Sequence, residues 1–109
     1  MMVAREPEMT TPITSLERFA QFRTYVQGLV DKYALRYHIQ APHWDTYVPV
    51  WAPEVPSEKR FWGAYAYALH TILIVRQYED FWFIDEQKTR VALDYLIAHE
   101  MWHARAGDE

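Results

Sequence analysis

Cysteine is absent from this sequence of 109 residues. Its absence excludes disulfide bonds and thiolate metal sites, so histidine and carboxylate side chains are the strong metal ligands that remain. Runs of more than two Lys or Arg residues are also absent, and the formal net charge is −4, so we expect no nucleic-acid partner. The start of the chain has no apolar core typical of a secretory signal or membrane anchor. These absences favour a cytoplasmic protein that does not bind membranes.

Aromatic residues are abundant, at 17% of the sequence, and hydrophobic residues make up 50%. A short chain of this composition buries a large apolar area, so we expect one small globular domain. Residues 1–14 are mostly polar and contain Pro7 and Pro12. We therefore predict a flexible tail over residues 1–14 and a single domain over residues 15–109.

The first helix signal is a capping box. Thr14 and Glu17 have the spacing at which each side chain satisfies a free backbone N–H of the other. Apolar residues then recur at helical spacing, which predicts a helix from about Ser15 to about Tyr33.

Strand signals follow this helix. Alternating apolar residues predict a short strand over Leu35 to Ile39, and four prolines between positions 41 and 59 predict a long loop, with a brief extended piece at Thr46 to Trp51. Two further strands are predicted at Phe61 to Leu69 and at Thr71 to Val75, where the second is continuously apolar and β-branched.

The last helix is predicted from about Asp85 to Gly107, a natural helix end. Its apolar stripe is expected to pack inward, and the segment Arg76 to Phe83 is expected to be a connection. The order of elements predicts an α+β fold in which helices cover a small mixed three-stranded sheet. The members of the predicted stripe are Val91, Ala92, Tyr95, Leu96, His99 and Trp102.

Two histidines one turn apart lie near the end of this helix. His99 and His103 project about 40° from each other around the helix axis and about 6 Å apart along it. That spacing lets both imidazoles bind one Zn²⁺ at about 2.0–2.1 Å. Glu100 lies roughly 100° round from His99, where it can accept a proton from a water molecule activated by the metal.

The segment His99-Glu100-Met101-Trp102-His103 resembles the HExxH signature of zincin metallopeptidases. Together with the two strands before the helix, it looks most like SprT-like and other minimal zincins. The resemblance implies a zincin-like fold, a Zn²⁺ cofactor and hydrolysis of a peptide or protein substrate, with Glu100 as the catalytic base.

The resemblance also implies further site residues. A longer zincin signature has a ligand ten residues after the first histidine, which here is Glu109, so the implied metal ligands are His99, His103 and Glu109. The alternatives for the third ligand are Asp108, a partner chain, a C-terminal extension or a water molecule. Family members bind substrate along the strand before the apolar strand, which implies a substrate-binding edge at Gly63, Ala64 and Tyr65.

Two other functions are compatible with the sequence. The first is a catalytically inactive zincin-like domain that binds metal or a protein partner. The second is an interaction module without metal, in which the motif is an ordinary amphipathic helix end. An exposed aromatic flank beside the helix would also promote homo-oligomers. His70, between the two last strands, is expected to be a turn or surface histidine.

Overall fold

The computed structural model describes residues 14–49, 54 and 62–107. The residues outside this description include the predicted tail before Thr14, residues 50–53 and 55–59 of the proline-rich loop, Phe61, Asp108 and Glu109. The described residues form three α-helices and one three-stranded mixed sheet, which confirms the α+β class. The helices are α1 (Ser15–Tyr37), α2 (Gln77–Ile84) and α3 (Glu86–Ala106), and the strands are β1 (His43–Tyr47), β2 (Gly63–Ala66) and β3 (Thr71–Val75).

The predicted capping box begins α1. The Thr14 hydroxyl accepts a hydrogen bond from the Glu17 N–H at 3.1 Å, and the Thr14 N–H donates to the Glu17 carboxylate at 2.9 Å. The helix runs past Tyr33 to Tyr37, so the predicted strand at Leu35 to Ile39 is wrong. The reason is that Tyr33, Ala34 and half-buried Tyr37 continue the helical spacing, and three alternating apolar residues fit either period.

The strand order is β1-β3-β2. β1 lies parallel to β3, and β2 lies antiparallel to it. The prediction for Thr71 to Val75 is confirmed, whereas β1 begins three residues earlier than the predicted extended piece. The predicted strand Phe61 to Leu69 is shorter than expected, because the chain turns through a 3-10 helix at Tyr67–Leu69 and a left-handed His70 (φ 47°) to enter β3.

The segment predicted to be a connection, Arg76 to Phe83, forms α2 instead. Among its charged and aromatic residues, Tyr78 and Trp82 are four residues apart and therefore lie on one face of the helix. Both are buried. Trp82 is fully buried, with its ring 5.8 Å from that of Phe22 in α1.

The ends of α3 agree with the sequence, but the buried face does not. The Asp85 side chain caps the helix by accepting from the Lys88 N–H at 3.2 Å, and Gly107 ends it with a φ of 77°. The predicted inward stripe is wrong at Val91 and Tyr95, which are 73% and 77% exposed, whereas its members Ala92 and Leu96 are half-buried against the core. The residues that α3 buries are instead Thr89, Leu93, Ile97, Glu100 and Met101.

α1 and α3 lie side by side on the sheet face that carries Ile72 and Ile74. They run in the same direction, because residues successively later in α1 contact residues successively later in α3. The contacts are Arg18 with Glu86 at 3.3 Å, the Tyr25 hydroxyl with the Arg90 carbonyl at 3.3 Å, and Tyr33 with Asp94 at 2.5 Å. None of the described helices has the length and apolar character needed to cross a membrane.

Candidate metal centre

The imidazoles of His99 and His103 face each other at the end of α3. Their Nε2 atoms are 3.2 Å apart, and their rings are nearly perpendicular, with centroids separated by 4.8 Å. Two nitrogens bound to one tetrahedral zinc at about 2.0–2.1 Å would be about 3.3–3.4 Å apart. The observed separation therefore fits a shared zinc, and it equally fits an N–H···N hydrogen bond between the two rings.

The rotation of α3 about its axis determines where these imidazoles lie. Leu93, Ile97 and Met101 are fully buried and fix the helix against the core. Because His99 and His103 lie well away from these residues around the helix, His99 is exposed and His103 is half-buried. The pair thus lies at the flank of the helix, where a metal ion and a substrate can reach it from solvent.

Glu100 lies on the inner side of the histidine pair. Its side chain is 5% exposed, and this burial raises the pKa of the carboxyl group, whereas the nearby His99 and His103 act to lower it. Burial raises the pKa of the Tyr47 phenol in β1, and the negative charge of Glu100 raises it further. A carboxylate with little water around it is a stronger proton acceptor than a fully hydrated one.

β2 lies against α3 close to the histidines. A Cβ atom added to Gly63 would be 2.8 Å from Leu96 Cδ1 and 3.2 Å from the Leu73 carbonyl oxygen. β2 and α3 are therefore closely packed at this glycine. Leu96 precedes His99 by about one helical turn, so β2 and the histidine pair share one flank of α3.

The three residues of the implied substrate-binding edge have different surroundings. Ala64 pairs with Leu73 in the sheet and is half-buried. Tyr65 is 6% exposed, and its hydroxyl lies 2.7 Å from Nδ1 of His70. The Tyr65 side chain therefore packs inward, and the part of β2 open to a ligand is its backbone edge, which no strand of the described residues covers.

His70 lies in the turn before β3, as expected. Its Nε2 atom lies 3.0 Å from the Gln40 carbonyl oxygen, so Nε2 carries a proton that it donates to this oxygen. Because Nδ1 faces Tyr65, both ring nitrogens are engaged in contacts, which join the turn to β2 and to the segment that follows α1. This arrangement is structural.

A third side chain is not grouped with the histidine pair among the described residues. Within residues 14–49, 54 and 62–107, no three His, Asp or Glu side chains lie together in a way that could hold a metal ion. Glu109, the third ligand that the zincin resemblance implies, lies outside the described residues. The described part of the candidate centre thus consists of two facing imidazoles and one buried carboxylate.

Trp102 was expected in the core, but its indole is 48% exposed. Its ring packs against that of His103, with centroids 5.5 Å apart. The sequence pattern did not distinguish this position from a core position, because Trp102 continues the same apolar stripe as Val91 and Tyr95. An aromatic side chain therefore borders the histidine pair on the side away from Glu100.

Comparison with known proteins finds no matching family model, no similar curated protein and no similar solved structure.

Proposed function

We propose that this chain is a zinc-dependent peptidase domain with a zincin-like fold. The observation that carries the proposal is the 3.2 Å separation of the Nε2 atoms of His99 and His103, with the carboxylate of Glu100 on the neighbouring residue. Histidine nitrogens at this separation match two of the ligands of a tetrahedral zinc site. A catalytic zinc site needs a third protein ligand, and Glu109 is the residue of this chain that the zincin resemblance implies.

Zinc at this position would supply positive charge that polarises a peptide carbonyl and lowers the pKa of a bound water to about 7. Glu100 would take the proton of the attacking water and pass it to the nitrogen of the leaving amine. Its burial supports this role, because a raised pKa makes proton uptake easier. His99 and His103 would hold the metal from one face of α3.

The position of β2 supports a peptide as the substrate. β2 is an outer strand of the sheet and runs antiparallel to β3. Its Gly63 lies against Leu96 of α3, which is about one turn before His99. An extended peptide that pairs with this edge would lie beside the metal centre. The edge presents backbone groups, so binding by strand addition would not require a specific substrate side chain at every position.

The experiment measures zinc content and cleavage of an unfolded protein by the full 109-residue chain. We expect about one zinc per chain, loss of zinc in His99→Ala, and retention of zinc in Glu100→Gln with cleavage lowered by about 10²- to 10⁴-fold. His43→Ala is the matched control, because His43 is an exposed histidine on β1 outside the site. It should change neither zinc content nor cleavage.

A catalytically inactive metal-binding domain is the second candidate. It is favoured by the exposure of His99 and by the lack of a three-ligand group among the described residues. Zinc that is bound through His99 without any Glu100-dependent cleavage would favour this candidate. Absence of bound zinc would contradict both and leave a hydrogen-bonded histidine pair in a protein-interaction module.

A further inference from the structure

An apolar pocket lies between α2 and the first half of α3. Its volume is about 270 Å³, which is below the roughly 300–1,000 Å³ of sites for whole small molecules. The pocket therefore fits a single large side chain. It is lined by Tyr78, Phe81, Ile84, Asp85, Lys88, Thr89 and Ala92.

The walls of the pocket are mainly apolar. The Thr89 hydroxyl donates to the Asp85 carbonyl at 2.7 Å, and the Asp85 carboxylate accepts from the Lys88 N–H at 3.2 Å, so these polar groups are paired within α3 and its cap. Tyr78 and Phe81 contribute ring surface, with centroids 5.8 Å apart. An apolar side chain would be stabilised by burial against this surface, whereas a charged one would lose hydration.

This pocket lies on the same flank of α3 as the metal centre. Ala92 precedes His99 by seven residues, which places it about 20° round the helix and about 10 Å along it. β2 connects the two positions. The Trp62 ring, immediately before β2, lies 6.1 Å from that of Tyr78 and 6.2 Å from that of Phe81.

The separation of Ala92 and His99 along α3 indicates which residue of a substrate would reach the pocket. An extended peptide advances about 3.3 Å per residue, so about 10 Å corresponds to three residues. Consider a substrate peptide that pairs with the edge of β2 and has its scissile bond at the histidine pair. The residue three positions from that bond would reach the pocket.

We infer that this pocket selects substrates by binding a large apolar side chain, such as leucine, about three residues from the scissile bond. The inference deepens the proposed peptidase function and rests on it. Leucine has the required chemistry, because it fills a pocket with aromatic and aliphatic walls and brings no polar group that needs a partner.

The test uses ten-residue peptides of alanine and serine that carry leucine or glycine three residues to either side of a central Ala–Ala bond. With the native chain, we expect kcat/KM to be at least about tenfold higher for leucine on one of the two sides. Ala92→Trp fills the pocket and should bring the leucine-to-glycine ratio close to one. Val91→Trp, which adds similar bulk at a 73% exposed position about 100° round the helix from Ala92, should preserve the ratio.

A second variant covers the case in which Ala92→Trp fails to fold. Ile84 is 79% exposed at the rim of the pocket, so Ile84→Asp should fold and should lower the preference for leucine by placing a carboxylate there. Equal kcat/KM for the leucine and glycine peptides, or a leucine preference unchanged in both variants, would overturn the inference while leaving the peptidase function intact.

Binding separates this inference from the peptidase function. Fluorescence anisotropy with labelled peptides and the Glu100→Gln chain needs no cleavage. Tighter binding of the leucine peptide, lost in Ala92→Trp combined with Glu100→Gln, supports the pocket even if the native chain cuts nothing. Equal binding of both peptides, or no binding of either, contradicts it.

Discussion

Gly63 lies where β2 packs against Leu96 of α3. Its replacement by alanine tests how tightly the two elements pack. The added Cβ atom would meet Leu96 Cδ1 at 2.8 Å and Leu96 Cδ2 at 3.1 Å. It would also meet the Leu73 carbonyl oxygen at 3.2 Å, and this backbone atom cannot rotate away. The backbone of Gly63 does not have a positive φ, so alanine is conformationally allowed and the effect is steric.

Two opposing terms give the magnitude. Inserting a methyl group into a packed contact costs about 1–3 kcal/mol of the free energy of unfolding. Replacing glycine by alanine recovers about 0.4–1 kcal/mol, because the unfolded chain has fewer conformations to lose. The steric term is larger, so we expect Gly63→Ala to destabilise the domain by about 1–2 kcal/mol.

Removal of Leu96 should remove most of this effect. In a Leu96→Ala background both shortest contacts disappear and the 3.2 Å contact with the Leu73 carbonyl oxygen remains, so Gly63→Ala should then be close to neutral. Urea unfolding of the four proteins of this double-mutant cycle, followed by tryptophan fluorescence, should give a coupling energy of about 1–2 kcal/mol. Additivity within about 0.5 kcal/mol would refute the close packing of β2 on Leu96.

Two further predictions concern the core. The hydrogen bond from Tyr33 to Asp94 raises the pKa of the Tyr33 phenol to about 12. The contribution of this hydrogen bond to the free energy of unfolding is therefore complete below about pH 10. It is lost as the pH rises towards about 12, by about 1.4 kcal/mol per pH unit. Tyr33→Phe should flatten this alkaline loss in urea unfolding; an unchanged slope contradicts the assignment. Leu93→Ala should cost about 2–5 kcal/mol and Val91→Ala less than about 0.5 kcal/mol, and comparable losses in thermal unfolding would disprove the observed rotation of α3.

The features that the sequence predicts correctly are those with a local cause. Thr14 and Glu17 form a capping box within one turn, and Asp85 and Gly107 begin and end α3 through contacts to their own neighbours. β3 is correctly predicted because a run of β-branched residues has few other stable places than a buried strand.

The errors in the fold have tertiary causes. Val91 and Tyr95 have the same apolar character as Leu93 and Ile97, and only the packing of α1 and the sheet determines which pair is buried. α2 was missed for the same reason, because burial of Trp82 depends on contact with α1, sixty residues away in sequence.

The candidate site is predictable to the extent that it lies on one helix. The facing of His99 and His103 follows from helical spacing, and the structure has it. The burial of Glu100, the exposure of Trp102 and the pocket beside Ala92 depend on how α3 docks against other elements. They require the three-dimensional structure.

The left-handed cap at Gly107 has a consequence for the two imidazoles. It ends α3 four residues after His103, so both rings are carried by the final two turns, where a helix tends to fray. An ion bound by both imidazoles would link those two turns and oppose their fraying. Occupancy of the site by such an ion and the order of the last two turns of α3 would then increase together, and each would be a measure of the other.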